Sequence, residues 1–203
     1  HLLFTWSPSA NTGGDLAHYK AYLDGASEGI TIAPDVTSYD VTGLSPASAH
    51  SLKVTAVDSD GNESTGAQIT GYTLLDNPAI TSTEPYSGYV DLAWNAVSPS
   101  AHLQTYRVYV STADFTSVEG MSPSLSTAST SAKVAGLTNN TQYFFAVTAV
   151  NKSGGQRTGV TTATSTPVPD TFGPDIANLC LGGAAFSSGS TMTASGTFTV
   201  SVT

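Results

Sequence analysis

Apolar and polar residues alternate with a period of two along many short stretches of the 203-residue chain. Tyr89-Val90-Asp91-Leu92-Ala93-Trp94 is one of them, and its alternation predicts a strand with one buried and one solvated face. Tyr106, Val108 and Val110 share one face of a second predicted strand, and Tyr143, Phe145, Val147 and Ala149 share one face of a third. Turn formers punctuate these stretches at Ser7-Pro8, Asp24-Gly25, Asp60-Gly61-Asn62, Ser98-Pro99 and Ser153-Gly154-Gly155. No segment shows the apolar spacing of an amphipathic helix. The pattern predicts an all-β, antiparallel protein.

The pattern also repeats. Leu3-Phe4-Thr5-Trp6 aligns with Asp91-Leu92-Ala93-Trp94 at an offset of 88, and Leu16–Leu23 aligns with Leu103–Val110 at 87. Val41-Thr42-Gly43-Leu44 aligns with Val134-Ala135-Gly136-Leu137, and Leu52–Val57 with Phe145–Val150, both at 93. Two homologous domains with one insertion of about six residues produce such offsets. The insertion falls within 111–133, a Ser/Thr-rich stretch that reads as loop and is cheap to lengthen. About seven short strands in each block suit a two-sheet antiparallel sandwich.

At this level the residues resemble fibronectin type III domains, a family of immunoglobulin-like sandwiches. The second block carries Trp94, the aromatic strand Tyr106-Arg107-Val108-Tyr109-Val110, and Gly136-Leu137-Thr138-Asn139-Asn140-Thr141-Gln142-Tyr143 leading to Val147-Thr148-Ala149-Val150. The first carries Trp6, Tyr19-Lys20-Ala21-Tyr22, and Gly43-Leu44-Ser45-Pro46 leading through His50 to Val54-Thr55-Ala56-Val57. The resemblance implies tandem sandwiches arranged like beads on a string, with Trp6, Trp94, His50 and Tyr143 as structural positions. It makes Tyr143 the tyrosine corner, whose hydroxyl ties back to the backbone. His50 stands at that place in the first domain, where either an imidazole N–H substitutes as donor or the corner is simply weaker.

The expected domains are 1–75, lacking its first strand, then 76–166, then a linker and the opening of a third β module over 167–203. Residues 176–179 and 196–203 resemble the first two strands of bacterial immunoglobulin-like modules. The first repeat begins at Leu2, four residues before Trp6, which suggests a window from a longer chain. The joint Leu74-Leu75-Asp76-Asn77-Pro78 is short, and Thr166-Pro167-Val168-Pro169 is stiffened by two prolines, so a semi-rigid rod is expected.

Composition narrows the function. Six Lys plus Arg against 15 Asp plus Glu give a net charge of −9, which excludes the basic surface that nucleic-acid binding needs. No apolar run approaches the roughly 18 residues of a membrane span. Charged residues are 10% of the chain, but 39% hydrophobic residues argue against disorder. Ser and Thr together fill 57 positions. An acidic, Lys-poor, Ser/Thr/Gly-rich chain with a single Cys resembles secreted bacterial modular proteins, which implies an extracellular or cell-surface location.

Candidate chemistry is sparse. His1, His18, His50 and His102 are not at ligand spacing, and Cys180 between Leu179 and Leu181 reads as a buried thiol. No nucleophile elbow, phosphate loop or His-Glu-x-x-His motif occurs. Asp58, Asp60 and Asn62 offer oxygens at alternate positions, a weak calcium candidate without the Gly and Glu spacing of an EF-hand loop. The same residues are turn formers where the fold needs a turn. Neither Asp58–Glu63 nor Asn151–Arg157 carries the Arg-Gly-Asp of integrin-binding relatives. Asn62, Asn139 and Asn151 head Asn-x-Ser/Thr triplets in predicted turns, within reach of a glycosyltransferase although such triplets arise often by chance. Tyr22, Tyr72, Tyr86 and Tyr109 read as exposed rings that either stack on sugars or, more often, pack across strands or against the neighbouring domain.

The expected function is a non-catalytic spacer or presentation segment of a large secreted or cell-surface protein, with no cofactor, contacting neighbouring domains of its own polypeptide. Three alternatives remain open at this stage. One is a polysaccharide- or protein-binding adhesion module, another an accessory region of an extracellular hydrolase. The third is a fibre subunit assembled by strand addition through 176–203.

Overall fold

The computed structural model describes residues 1–10, 14–169, 179–181 and 184–186. The chain divides into two compact units, His1–Val168 and Pro169–Thr203. The first unit holds two β-sandwiches in tandem.

In the first sandwich, β1 (Leu2–Thr5) pairs with β4 (Ser38–Val41), while β2 (Leu16–Leu23), β3 (Ile30–Ile32), β5 (Ala49–Asp58) and β6 (Ala67–Tyr72) form a sheet in the order β3-β2-β5-β6. In the second, β7 (Ile80–Tyr86), β8 (Tyr89–Trp94) and β11 (Ser131–Ala135) form the sheet β11-β8-β7. Its partner sheet, β10-β9-β12-β13, is built from β9 (Leu103–Ser111), β10 (Leu125–Thr127), β12 (Tyr143–Asn151) and β13 (Ala163–Ser165). All pairs are antiparallel, and one 3-10 turn at Ser100–His102 is the only helical element among the described residues. The sheet that has three strands in the second domain has two in the first.

The cores follow the alternation. Val90, Leu92 and Trp94 from β8 face Tyr106 and Val108 from β9, and Phe145, Val147 and Ala149 from β12 complete the cluster. Phe4, Tyr19, Ala21, Val41 and Leu52 do the same in the first domain. In each domain the Trp ring meets the Tyr of the next strand edge-on: Trp6–Tyr19 at 5.7 Å and Trp94–Tyr106 at 5.6 Å, both at 72°. The Tyr hydroxyl then accepts the amide of Ser9 in one domain and of Val97 in the other, so each ring ties a loop to its core.

The Ser/Thr-rich stretch departs from the expected loop. It contains β10 and the start of β11, because Thr and Ser sit well on a half-exposed pleated surface. The long connection between β9 and β10 is itself anchored. Val118 is buried, its N–H donates to the Thr158 carbonyl at 2.9 Å, and Ser117 bridges Gly159.

In the second unit, β14 (Leu179–Leu181) pairs with β15 (Ala184–Phe186), Leu179 opposite Phe186. Cys180 lies in β14. Its expected burial, most of the strand expected over 176–179 and the whole of that over 196–203 lie outside the described residues.

Candidate functional site

The most highly constructed place in the molecule is the seam between the two sandwiches. Leu75 leaves the first domain and inserts fully into the core cluster of the second, with no exposed surface. Ala47 packs against that same cluster from the turn before β5. It does so with φ at 54°, the left-handed region that costs an L-residue about 1 kcal/mol. Asn140 holds the equivalent turn position in the second domain with φ at 62°, a conformation that suits Asn better.

Asn151 closes the seam. The pairing of β12 with β9 shifts register between Val150 and Asn151, and such an irregularity re-aims a side chain. Both Nδ2 hydrogens of Asn151 are spent on the linker, donating to the Tyr72 carbonyl at 2.7 Å and the Thr73 carbonyl at 3.0 Å. Its Oδ1 accepts the amides of Ser153 and Gly155, which shapes the loop beyond β12. The Ser153 hydroxyl accepts the Tyr72 amide at 2.9 Å. On the opposite flank, His102 Nδ1–H donates to the Ala47 carbonyl at 2.9 Å, and its ring meets Tyr72 edge-on at 5.1 Å. A carbonyl only accepts, so this contact fixes the proton on Nδ1. Arg157 Nε donates to the Leu75 carbonyl, and Asn77 Nδ2 to the carbonyls of Arg157 and Gly159. The joint is therefore held along its backbone as well as by its buried leucine.

Asn151 overturns one expectation. It is 1% exposed, and an amide with both hydrogens engaged has no room for a glycan. Asn62 and Asn139 also use their amides, Asn62 donating to Asp58 and Asn139 donating to Ser87 while accepting the Gly88 amide. The triplet pattern read turn geometry correctly and missed that these side chains build the turns.

Asp58, Asp60 and Asn62 lie together in the turn after β5, but Asp58 spends its oxygens internally. It accepts the amides of Asp60 and Asn62 at 3.0 and 2.8 Å and the Asn62 side chain at 2.9 Å. These bonds, the Asn62 side chain first, hold its carboxyl below the usual range. No group of three or more His, Cys, Asp or Glu placed to hold a metal occurs among the described residues.

Glu63, next in sequence, folds back onto the sheet. It accepts the Tyr22 hydroxyl at 2.7 Å, the Thr55 hydroxyl at 2.7 Å and Lys20 Nζ at 3.3 Å. The Tyr22 bond, then the Thr55 bond, lower its carboxyl to about 2. The second domain repeats the arrangement with Gln156, whose Oε1 accepts the Thr148 hydroxyl at 3.0 Å and Arg107 at 3.2 Å. Its Nε2 donates to the Tyr109 hydroxyl at 2.9 Å. Tyr109, expected to be exposed, is 1% exposed for this reason: the chain after β12 returns over its ring.

Of the four structural positions, Trp94 is deeply buried and Trp6 half-buried. The Tyr143 hydroxyl accepts the Thr138 amide at 3.0 Å, a tyrosine corner. His50 does something else. Its Nδ1–H donates to Asp24 Oδ2 at 2.7 Å, while Nε2 lies 2.8 Å from the Ser48 hydroxyl. That hydroxyl also donates to the Ser45 carbonyl at 2.6 Å and stands 3.1 Å from the Thr73 hydroxyl at the seam. The His50 bond, followed by that of the Ser51 amide, lowers the Asp24 carboxyl.

Both halves match the fibronectin type III domain profile, over residues 1–72 and 76–165. The chain belongs to the fibronectin type III family, in two tandem copies. Receptor-type tyrosine-protein phosphatase eta of Gallus gallus is 31% identical over 149 residues, covering 72% of this chain and 10% of that protein. The chain thus spans about a tenth of that curated relative. Among solved structures, the FN1–FN3 domains of chicken CNTN1 match with a TM-score of 0.54 at 21% identity, over 82% of this chain and 60% of that one, a likeness of fold. The two-domain fibronectin type III segment from chicken tenascin matches at 17% identity with a TM-score of 0.38, over 81% of this chain and 97% of that one.

Proposed function

We propose that this chain is a non-catalytic spacer that orients and presents other domains of a larger secreted or cell-surface protein. Family membership supports the general setting, since fibronectin type III domains serve adhesive and spacer roles in extracellular proteins and are generally non-catalytic. The observation that carries the spacer reading is the Asn151–Leu75 seam. A spacer must hold its angle, and a joint with a core leucine and engaged carbonyls resists bending more than a solvated tether does. A bacterial source is the expectation from composition, while the relatives named above are chicken proteins that share the domain family. The opening of a third immunoglobulin-like module after Pro169 belongs to the same reading. So does the parent's identity as a structural protein or as a hydrolase with this segment as accessory.

Residual dipolar couplings measured on the full chain test the spacer. Both sandwiches are expected to fit one alignment tensor of common magnitude. Two tensors of clearly different magnitude would show independent tumbling and sink the proposal.

A further inference from the structure

One sheet face of the second domain carries features that neither folding nor the seam uses. On the outer side of β11-β8-β7, the register sets Tyr86 opposite Tyr89, Glu84 opposite Asp91 and Lys133 opposite Asp91 on the other flank. The two tyrosine rings stack at 4.8 Å and 13°. Lys133 Nζ sits 3.9 Å over the Tyr89 ring instead of pairing with Asp91, so the Tyr89 ring is engaged by both Lys133 and Tyr86. Tyr86 keeps one ring face open and is 44% exposed. Beside this stack runs a groove of about 370 Å³ lined by Ser82, Glu84, Asp91, Ser131 and Lys133. That volume is at the small end of the roughly 300–1,000 Å³ of ligand sites.

Two carboxylates directly opposed across a strand pair are unfavourable, and neither has an ion-pair partner among the described residues. Their chemistry fits a ligand that supplies hydroxyl donors. The open Tyr86 face fits a flat C–H surface packing on a π-system. The Ser131 hydroxyl and the Lys133 ammonium on the β11 wall supply donors for ring and hydroxyl oxygens, while the Ser82 hydroxyl already donates to Glu84 Oε1 at 3.0 Å. Charge excludes the main competitors: a chain of net −9 with two carboxylates in the groove repels acidic peptides, nucleic acid and a second copy of itself. We propose that Tyr86, Glu84, Asp91 and Lys133 form a binding site for a neutral polysaccharide, which stacks a sugar ring on Tyr86 and lays the next along the groove.

The site is tested on the full chain by NMR titration with cellohexaose, xylohexaose, mannohexaose and maltohexaose, with hexalysine as the cationic competitor. At least one saccharide is expected to bind with a dissociation constant of about 1 mM or tighter, moving the amides of residues 82–93 and 131–135. Tyr86→Ala is expected to weaken it about tenfold, while Tyr86→Phe, which keeps the ring, retains it. Glu84→Gln separates charge from stacking and is expected to weaken binding while leaving the fold intact, since Glu84 is exposed. Three results would overturn the site: no saccharide binds, binding is indifferent to Tyr86→Ala, or only hexalysine moves these amides. Concentration-dependent shifts of the same amides without any added ligand would overturn it in favour of self-association.

Discussion

Glu63 and Gln156 occupy the same place in the two domains, 93 positions apart, and each accepts from a Thr hydroxyl and a basic side chain while bonding a Tyr hydroxyl. The partners match as well: Lys20 with Arg107, Tyr22 with Tyr109, Thr55 with Thr148. The clamp draws the chain after the last long strand back onto the sheet in both copies. Its charge is what differs. A carboxylate serves where the neighbouring cation is Lys20, and a neutral amide serves where the ring is buried.

That difference predicts an acid sensitivity carried by the clamp of the first domain and not by that of the second. The folded Glu63 carboxyl lies at about 2 against an ordinary 4.5, so its contribution is complete above about 4.5 and is lost as pH falls toward about 2. Glu63→Gln, which copies the second domain, is expected to flatten this part of a Tm-against-pH curve. Asp24 and Asp58, also lowered, supply the slope that remains. An unchanged acid limb in the variant would show that the clamp carries no charge-dependent stability.

Asn151→Ala is expected to destabilise the chain by about 2–3 kcal/mol, because it leaves two linker carbonyls and two loop amides without their partner. Urea unfolding measures the loss, and a split from one transition into two would mark the domains parting. Expressed in a glycosylating host, the folded protein is expected to carry no glycan on Asn151. Peptide mass mapping reads that directly.

The His50–Asp24 pair predicts a carboxyl that titrates low. Nδ1–H of His50 is the main cause, so His50→Tyr is expected to move Asp24 back toward its usual range, while the Ser51 amide keeps part of the depression. Carbon-13 titration of the Asp24 carboxyl follows the change. No movement would mean that the Ser51 amide alone sets its acidity.

Calcium is expected to leave Tm unchanged at a few millimolar, the range in which extracellular calcium modules saturate. Asp58 has already committed its oxygens to the turn. A rise in Tm that chelator reverses would revive the Asp58, Asp60 and Asn62 site.

Much of the architecture was legible because it rests on periodicity. Offsets of 87 to 93 found the two copies, and alternation named the core faces of β8, β9 and β12. What was not legible depended on side chains acting at a distance along the chain. Asn151 matched a glycosylation triplet, and nothing local signals a partner 79 positions away. Tyr109 alternates as a solvent-facing residue and is covered by Gln156 because the return path of the chain is not a periodic property. Glu63 follows the weak calcium candidate Asp58, Asp60 and Asn62 and takes no role of its own from the sequence pattern, although its position relative to Thr55 and Tyr22 makes it a clamp. Aligning Glu63 with Gln156 was the available clue, since an amide that replaces a carboxylate at the same position points to hydrogen bonding over metal ligation.

Leu75 changes what counts as a separable part. A residue that lies outside both profile matches, between 72 and 76, is among the most enclosed side chains of the second domain. A cut placed at that apparent boundary removes a piece of the interior, so the second sandwich excised from position 76 starts with a hole where its neighbour's tail belonged. The same enclosure hides the peptide bonds that a protease must draw into extended form to cleave. In recombination, natural or engineered, the transferable cassette is the second sandwich together with the joint that precedes it.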